Sequence, residues 1–204
     1  MSYLFKIIIV LLVLAGLYTL YGIGHFKWMY HSVYNTNTEF LVSGDENSDI
    51  TIVEFINYGC GHCKRLHPVI EELQQVRKDV RYIMRPILIK ELEEEKISRL
   101  AIAAGLQGKF SEMHKAFLEY PEADIPDNFI EETALLYGLD YQKLIDDSNG
   151  KEVKKILNGN MKAVNHAGIF SVPSFMIGNE IYFVTDEDLP DLKTLLNIIP
   201  TSTN

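Results

Sequence analysis

The longest apolar run of this chain lies near its start. Ile7 to Gly24 reads IIIVLLVLAGLYTLYGIG, eighteen residues without a charge, bracketed by Lys6 on one side and His25, Phe26, Lys27 and Trp28 on the other. A helix of that length crosses the hydrocarbon of a bilayer. Tyr18, Tyr21 and Trp28 gather toward its C-terminal end, where amphipathic rings favour the headgroup region. A secretory signal peptide has a shorter apolar stretch and a small-x-small cleavage site, which Tyr18 to Gly24 does not offer, and with no cysteine following, a lipoprotein is excluded. The pattern predicts an uncleaved transmembrane signal anchor over residues 1–28, ahead of a cleaved signal peptide or a core helix. Lys6 and the terminal amine face only Lys27 across the run, so the positive-inside rule places the N-terminus inside and everything after Lys27 outside the cytoplasm.

Residues 29–39, MYHSVYNTNTE, are polar with scattered aromatics and read as a linker. The folded domain is expected over 40–199, with a tail at 200–204. Asp49 to Tyr58, DITIVEFINY, carries β-branched and aromatic residues on both alternating faces, the pattern of a central strand covered on both sides. Leu66, Val69, Ile70 and Leu73 follow at helical spacing, with Pro68 expected to kink the helix. Arg81 to Ile89 reads as a second strand, restricted by Pro86 to an edge or a strand end. From about 92 to 168 the period is helical, with Asp127 and Asp140 as N-caps and Gly138 and Gly168 as C-caps. Val153, Ile156, Leu157, Met161 and Val164 form one apolar stripe there. Ser174 to Ile177 and Ile181 to Val184 then read as a hairpin across Gly178-Asn179-Glu180, and a last helix runs from about Asp186 to Ile198. The order β, α, β, helical block, β, β, α is an α/β architecture with a helical insertion.

Composition narrows the function. The 204 residues are 47% hydrophobic and 23% charged, enough to bury a core. A net charge of −9 argues against nucleic acid as a partner, because phosphate binding needs a basic surface. The chain has two cysteines, Cys60 and Cys63, so neither a multi-bridge scaffold nor a four-cysteine zinc site is available.

Cys60-Gly61-His62-Cys63 stands where the central strand hands over to a helix. Positions i and i+3 share a helix face, which brings the sulfurs within bonding reach. The first cysteine meets the unpaired N–H groups and positive dipole end of the helix, which favour a thiolate, and the second lies further inside, as suits a resolving thiol. A motif cysteine of this kind has its pKa lowered from about 8.5 to roughly 3.5–7.5. A value of about 4 would favour the dithiol form at pH 7 by roughly 4 kcal/mol, or about 90 mV, and make the disulfide a good oxidant. His62 between the sulfurs is the candidate for tuning that thiolate. Other readings of the same residues are a structural disulfide, for which a four-residue ring is a poor staple, a zinc site with His67, which lacks a fourth ligand, and two inert buried thiols.

These residues resemble the thioredoxin superfamily, and more closely its DsbA-like thiol:disulfide oxidoreductases. The likeness extends beyond the tetrapeptide to Gly168-Ile169-Phe170-Ser171-Val172-Pro173-Ser174-Phe175, which looks like the family's proline loop. It implies a thioredoxin fold with an inserted helical domain, preceded here by the transmembrane anchor. It also implies that Pro173 is a cis-proline and that Val172 contacts the substrate chain. Glu54, six residues before Cys60, resembles the family's buried acid beneath the redox centre. Desolvation would raise its pKa and let it move protons for Cys63. Two departures are the Gly-His dipeptide, which related families use in enzymes that isomerise as well as oxidise, and Ser171 where members often have Gly.

The resemblance implies no cofactor or metal. Its expected partners are reduced substrate proteins, a membrane redox partner such as a quinone-linked oxidase for recycling, and the membrane itself through residues 7–24. The expected location is a bacterial inner membrane, single-pass, with the catalytic domain facing the periplasm or extracytoplasmic space. The leading expectation is therefore a membrane-tethered oxidase that introduces disulfides into extracytoplasmic proteins. Alternatives are an isomerase or reductase using the same pair, or a tethered binding module or chaperone whose cysteines are redox-silent. Glu91 to Lys96 reads as a solvated helix start, Met113, Met161 and Met176 as core packing, and His114 and His166 as structural residues.

Overall fold

The computed structural model describes residues 3–36, 38–88, 92–185 and 188–201. Its centre is β2 (Thr51–Ile56), flanked on one side by β3 (Arg81–Pro86) and on the other by β4 (Ser174–Ile177). With β1 (Val42–Gly44) and β5 (Glu180–Phe183) at the edges, the sheet order is β1-β3-β2-β4-β5. Only β2 and β3 are parallel among these pairs, and the helix between them, α2 (Gly61–Val76), supplies the crossover that a parallel pair requires. Pro86 is the last residue of an interior strand, so its missing N–H interrupts no ladder. The strand ends at Pro86, short of the expected Ile89: Ile87 N still donates to the Ile56 carbonyl at 2.8 Å, but Ile87 and Leu88 lie outside the strand, and Ile89 lies outside the described residues.

Period two along β2 assigns side chains to faces. Ile52 and Ile56 join a core with Leu66, Ile70 and Leu73 of α2, Tyr82 and Met84 of β3, and the helical block. Val53 and Phe55 join a second cluster on the other face, with Ile83, Val164 and Met176. The block between β3 and β4 comprises α3 (Leu92–Leu106), α4 (Phe110–Glu119), α5 (Asp127–Leu136), α6 (Tyr141–Ser148) and α7 (Lys151–Ala167). Asp140 caps α6 by accepting from Lys143 N at 3.0 Å, and Gly168 closes α7 at φ 71°, a left-handed value that costs glycine little. Asp127 is not a cap. Pro126 holds that position, and Asp127 sits in the first turn, paired with Lys96. Met113 and Met176 are buried in the core. Glu91 lies outside the described residues, and α2 runs on through Pro68 as one element.

The termini differ from the sequence pattern. The first helix, α1 (Tyr3–Tyr34), continues through half of the expected linker, and Val33 and Tyr34 are buried in the second core cluster. The reason is tertiary: two apolar side chains in a polar stretch give no periodic signal, yet they are buried with Ala163, Val164 and Ala167 of α7 on one face of the sheet. At the other end α8 (Leu192–Ile198) starts later than expected, because Asp191 is its cap, accepting from Thr194 N at 2.7 Å. Asp186 and Glu187, where that helix was expected to begin, lie outside the described residues, as do 202–204 of the tail.

Candidate active site

The turn after β2 is shaped by Asn57. Its side-chain oxygen accepts from Gly59 N at 2.8 Å and its carbonyl accepts from Cys60 N at 3.1 Å, an Asx-type turn that aims the chain into α2. Cys60 is the N-cap of α2, at φ −78° and ψ 113°, and its sulfur accepts from Cys63 N at 3.4 Å where a capping oxygen would ordinarily sit. The Cys60 pKa is lowered to about 6. The Cys63 thiol bonding to its sulfur is the largest cause. Partial burial opposes it, and the N–H groups of Cys63 and His62 and the charge of His62 follow in that order. This value is less extreme than the 4 taken from the sequence. The stabilisation at pH 7 is then at most about 1.4 kcal/mol, or about 30 mV, and less once solvent screening at a half-exposed thiolate is counted.

Cys63, one turn on, is buried, and desolvation pushes its thiol well above the usual range, reinforced by Cys60 and by the charge of Glu54. Both cysteines are free thiols. Two neighbours on one helix turn thus hold very different protons, one easily lost and one firmly kept.

Across from Cys60 is the loop joining α7 to β4. The Val172 carbonyl accepts from the Cys60 thiol at 3.4 Å, and the Val172–Pro173 bond is cis. The loop is held from behind, where Val184 N donates to the Pro173 carbonyl at 3.2 Å. Phe170 leaves this loop 81% exposed and stacks on Phe183 with ring centroids 4.3 Å apart.

Glu54 points from β2 into the face shared with α2. It is 4% exposed, and burial raises its pKa to about 7, only partly offset by the Tyr82 hydroxyl, which donates to Oε2 at 2.7 Å. The structure therefore sets Val172 and the cis-Pro173 against Cys60, with His62 and Cys63 in the first turn of α2 and the charge of the buried Glu54 felt at Cys63. Tyr82 escapes sequence reasoning because only strand register places it beside Glu54. Asn57 carries a visible signal in the turn-forming Asn-Tyr-Gly that precedes Cys60.

His67 turns away from the sulfurs. Its ring lies edge-on to His114 at 5.5 Å and 3.8 Å from Glu71. His114 Nδ1 and the Tyr58 hydroxyl are hydrogen-bonded at 2.9 Å, and burial lowers the His114 pKa to about 3, so it is neutral. Among the described residues no group of three or more His, Cys, Asp or Glu converges as metal ligands.

Comparison with known proteins adds an independent line. A family model described as the DSBA-like thioredoxin domain matches residues 51–197. A thioredoxin-like oxidoreductase from Silicibacter pomeroyi is 26% identical with a TM-score of 0.71, over 82% of this chain and 93% of that one. The thiol-disulfide exchange protein alpha-DsbA2 from Wolbachia pipientis shares the fold at a TM-score of 0.73 and 23% identity, over 85% of this chain and 91% of that one. The Na(+)/H(+) antiporter NhaA 3 of Salinispora tropica is 29% identical over 83 residues, 40% of this chain. The chain spans only 13% of the length of that antiporter.

Proposed function

Because the chain belongs to the DSBA-like thioredoxin domain family, we propose that it is a membrane-tethered oxidase that introduces disulfides into polypeptides outside the cytoplasm. As a DsbA-like protein it is a thiol:disulfide oxidoreductase, with Cys60 and Cys63 as the exchanging pair. The observation that carries this reading is the split between the two thiols, Cys60 half-exposed with a pKa near 6 and Cys63 buried with its thiol pushed well up.

In the oxidising direction a substrate thiolate attacks Cys60 Sγ of the Cys60–Cys63 disulfide. The S–S bond breaks, and Cys63 leaves with the electron pair and takes up a proton. We assign that proton to Glu54, whose pKa near 7 leaves it partly protonated at neutral pH and whose charge is felt at Cys63. The mixed disulfide is then attacked by the substrate's second thiolate, and Cys60 departs as the thiolate that the helix N-terminus stabilises. The substrate dithiol has lost two electrons, which the Cys60–Cys63 pair has gained, and two protons, one of which goes to solvent while the other restores the proton that Glu54 gave to Cys63, Cys60 remaining a thiolate. A quinone-linked membrane oxidase would take the electrons onward. Val172 and Pro173 flank Cys60 where an extended substrate segment would lie. His62 lends its N–H and charge to the thiolate.

The anchor is the apolar part of α1. The helix has a stretch of mean hydropathy 2.4 and none of that stretch is buried in the protein. A bilayer is the medium such a surface fits. The proposed boundaries are the anchor to residue 28 and the catalytic domain over 40–199, in a bacterial inner membrane with the domain outside the cytoplasm. Reduction or isomerisation is the second reading, favoured by the modest thiolate stabilisation.

The test is the reduction potential of the Cys60–Cys63 pair together with oxidation of a reduced dithiol peptide. A potential well above the roughly −270 mV of thioredoxin is expected, with peptide oxidation lost to background in Cys60→Ala. A potential at or below that value would overturn the oxidase in favour of the reductase. Retained oxidation in Cys60→Ala would remove the mechanism altogether.

A further inference from the structure

On the face of the sheet away from Cys63, the last turns of α1 are built into the fold. Val33 and Tyr34 are buried with Val53, Phe55, Ile83 and Met176. Arg81 Nη1 donates to the Tyr34 carbonyl at 2.9 Å, and the Tyr34 hydroxyl donates to the Gly178 carbonyl at 2.6 Å. The Ser32 hydroxyl and His166 Nδ1 are hydrogen-bonded at 2.7 Å, and the Trp28 ring packs on His166 with centroids 3.7 Å apart.

Arg85 completes the attachment. It is 3% exposed, and its guanidinium donates to the Val33 carbonyl at 2.9 Å, the Asn35 carbonyl at 2.9 Å, the Ser32 carbonyl at 3.4 Å and Asn160 Oδ1 at 2.9 Å. Carbonyls at a helix C-terminus carry the negative end of the dipole, so this buried cation and this helix end satisfy each other. Asn160 is itself fixed, its Nδ2 donating to the Pro86 carbonyl at 2.9 Å.

The same helix continues without a break to the apolar run that ends at Gly24. Val33 lies nine residues further along, about 14 Å at the rise of an α-helix. A flexible tether would let the domain sample many heights and orientations. A continuous helix clamped at its end fixes both.

We infer that residues 25–34 are a rigid strut that holds the redox site at one height and orientation over the membrane, so that it selects polypeptide thiols presented at a matching distance from the lipid surface. This inference rests on the anchor and the exchange reaction proposed above. Its physical basis is effective concentration: tethered partners whose reach matches meet often, and partners whose reach does not match meet almost never.

Full-length protein, oxidised at Cys60–Cys63 and reconstituted in phosphatidylcholine vesicles, is given dithiol peptides anchored in the same vesicles through helical spacers of graded length, with the free peptide as reference. The rate on anchored peptides should peak at one spacer length and fall about tenfold two helical turns to either side. A short Gly-Ser insertion between Gly24 and His25, which leaves Arg85 and its partners untouched, should flatten that profile and leave the free-peptide rate unchanged. A flat profile in the uninserted protein, or a peak that survives the insertion, overturns the strut. Extraction of the protein from the vesicles at alkaline pH overturns the anchor, and failure to oxidise even the free peptide overturns the exchange reaction. Each of those takes the strut with it, by a readout separate from the spacer profile.

Discussion

The two faces of the central sheet bury Glu54 and Arg85 and treat them in opposite ways. Glu54 of β2 and Arg85 of β3 are one register step apart, since Glu54 lies opposite Met84 and Phe55 opposite Arg85. Alternation sends them to opposite faces, so they cannot neutralise each other. Arg85 is surrounded by three carbonyls of the end of α1 and the Asn160 amide oxygen, and although burial draws its pKa down to about 10, it stays charged at neutral pH. Glu54 has the Tyr82 hydroxyl, and its pKa rises to about 7. A buried charge with a full set of partners becomes structure, and one left short of partners becomes a group that trades its proton.

Removing the satisfied charge should have the largest effect. Arg85→Met leaves several helix-end carbonyls without a donor, and at about 1–3 kcal/mol for each buried unsatisfied group the expected loss is about 4 kcal/mol. Denaturant unfolding measures it, and the Cys60 pKa should not move. A loss under about 1 kcal/mol would mean that water replaces the guanidinium and that the contrast with Glu54 is false.

Glu54→Gln sharpens the other side. A folded pKa above the unfolded value means that the native state holds more protons, so the wild-type protein loses stability as pH rises from about 4.5 through about 7. The variant should lack that slope. Above pH 7 it should be more stable than wild type by about 3 kcal/mol, and near pH 4 indistinguishable. Parallel unfolding curves at both pH values would show that Glu54 does not titrate in this range. Peptide oxidation should slow by roughly a hundredfold if Glu54 supplies the Cys63 proton.

The smallest effect belongs to His62, whose charge comes last among the influences on Cys60. In His62→Ala the thiolate absorbance should titrate upward from about 6 by less than about one pH unit. The depressed Cys60 pKa stabilises the reduced form fully above the free-thiol value, and that advantage fades as pH falls through about 6. The variant should lose it at a correspondingly higher pH. A shift as large as that from free cysteine would put His62, rather than the helix end and Cys63, in charge of the thiolate.

Much of this molecule is legible without coordinates. The strand Thr51–Ile56 and the helix that begins after Cys60 announce themselves over a few adjacent residues, through β-branched composition and helical spacing, whereas the cis bond at Val172–Pro173 is expected from the family resemblance. What eluded the sequence depends on contacts between distant segments. Tyr82 reaches Glu54 through a register of parallel strands, and Tyr58 reaches His114 across 56 positions. The stretch 29–39 reads as linker because its polar residues outweigh Val33 and Tyr34, and nothing local reveals that Arg85 waits for their carbonyls.

The order of elements, the apolar run from Ile7 to Gly24 and the reactive tetrapeptide were determined by the sequence itself, because periodicity and helix-end chemistry act over a turn or two. Which buried charge is ringed by carbonyls and which has its pKa raised to about 7, and that the first helix runs on past Gly24 to Tyr34 and is held there by Arg85, were decided by tertiary structure. Those outcomes depend on how many partners the folded chain brings to one group, a count that distant residues supply.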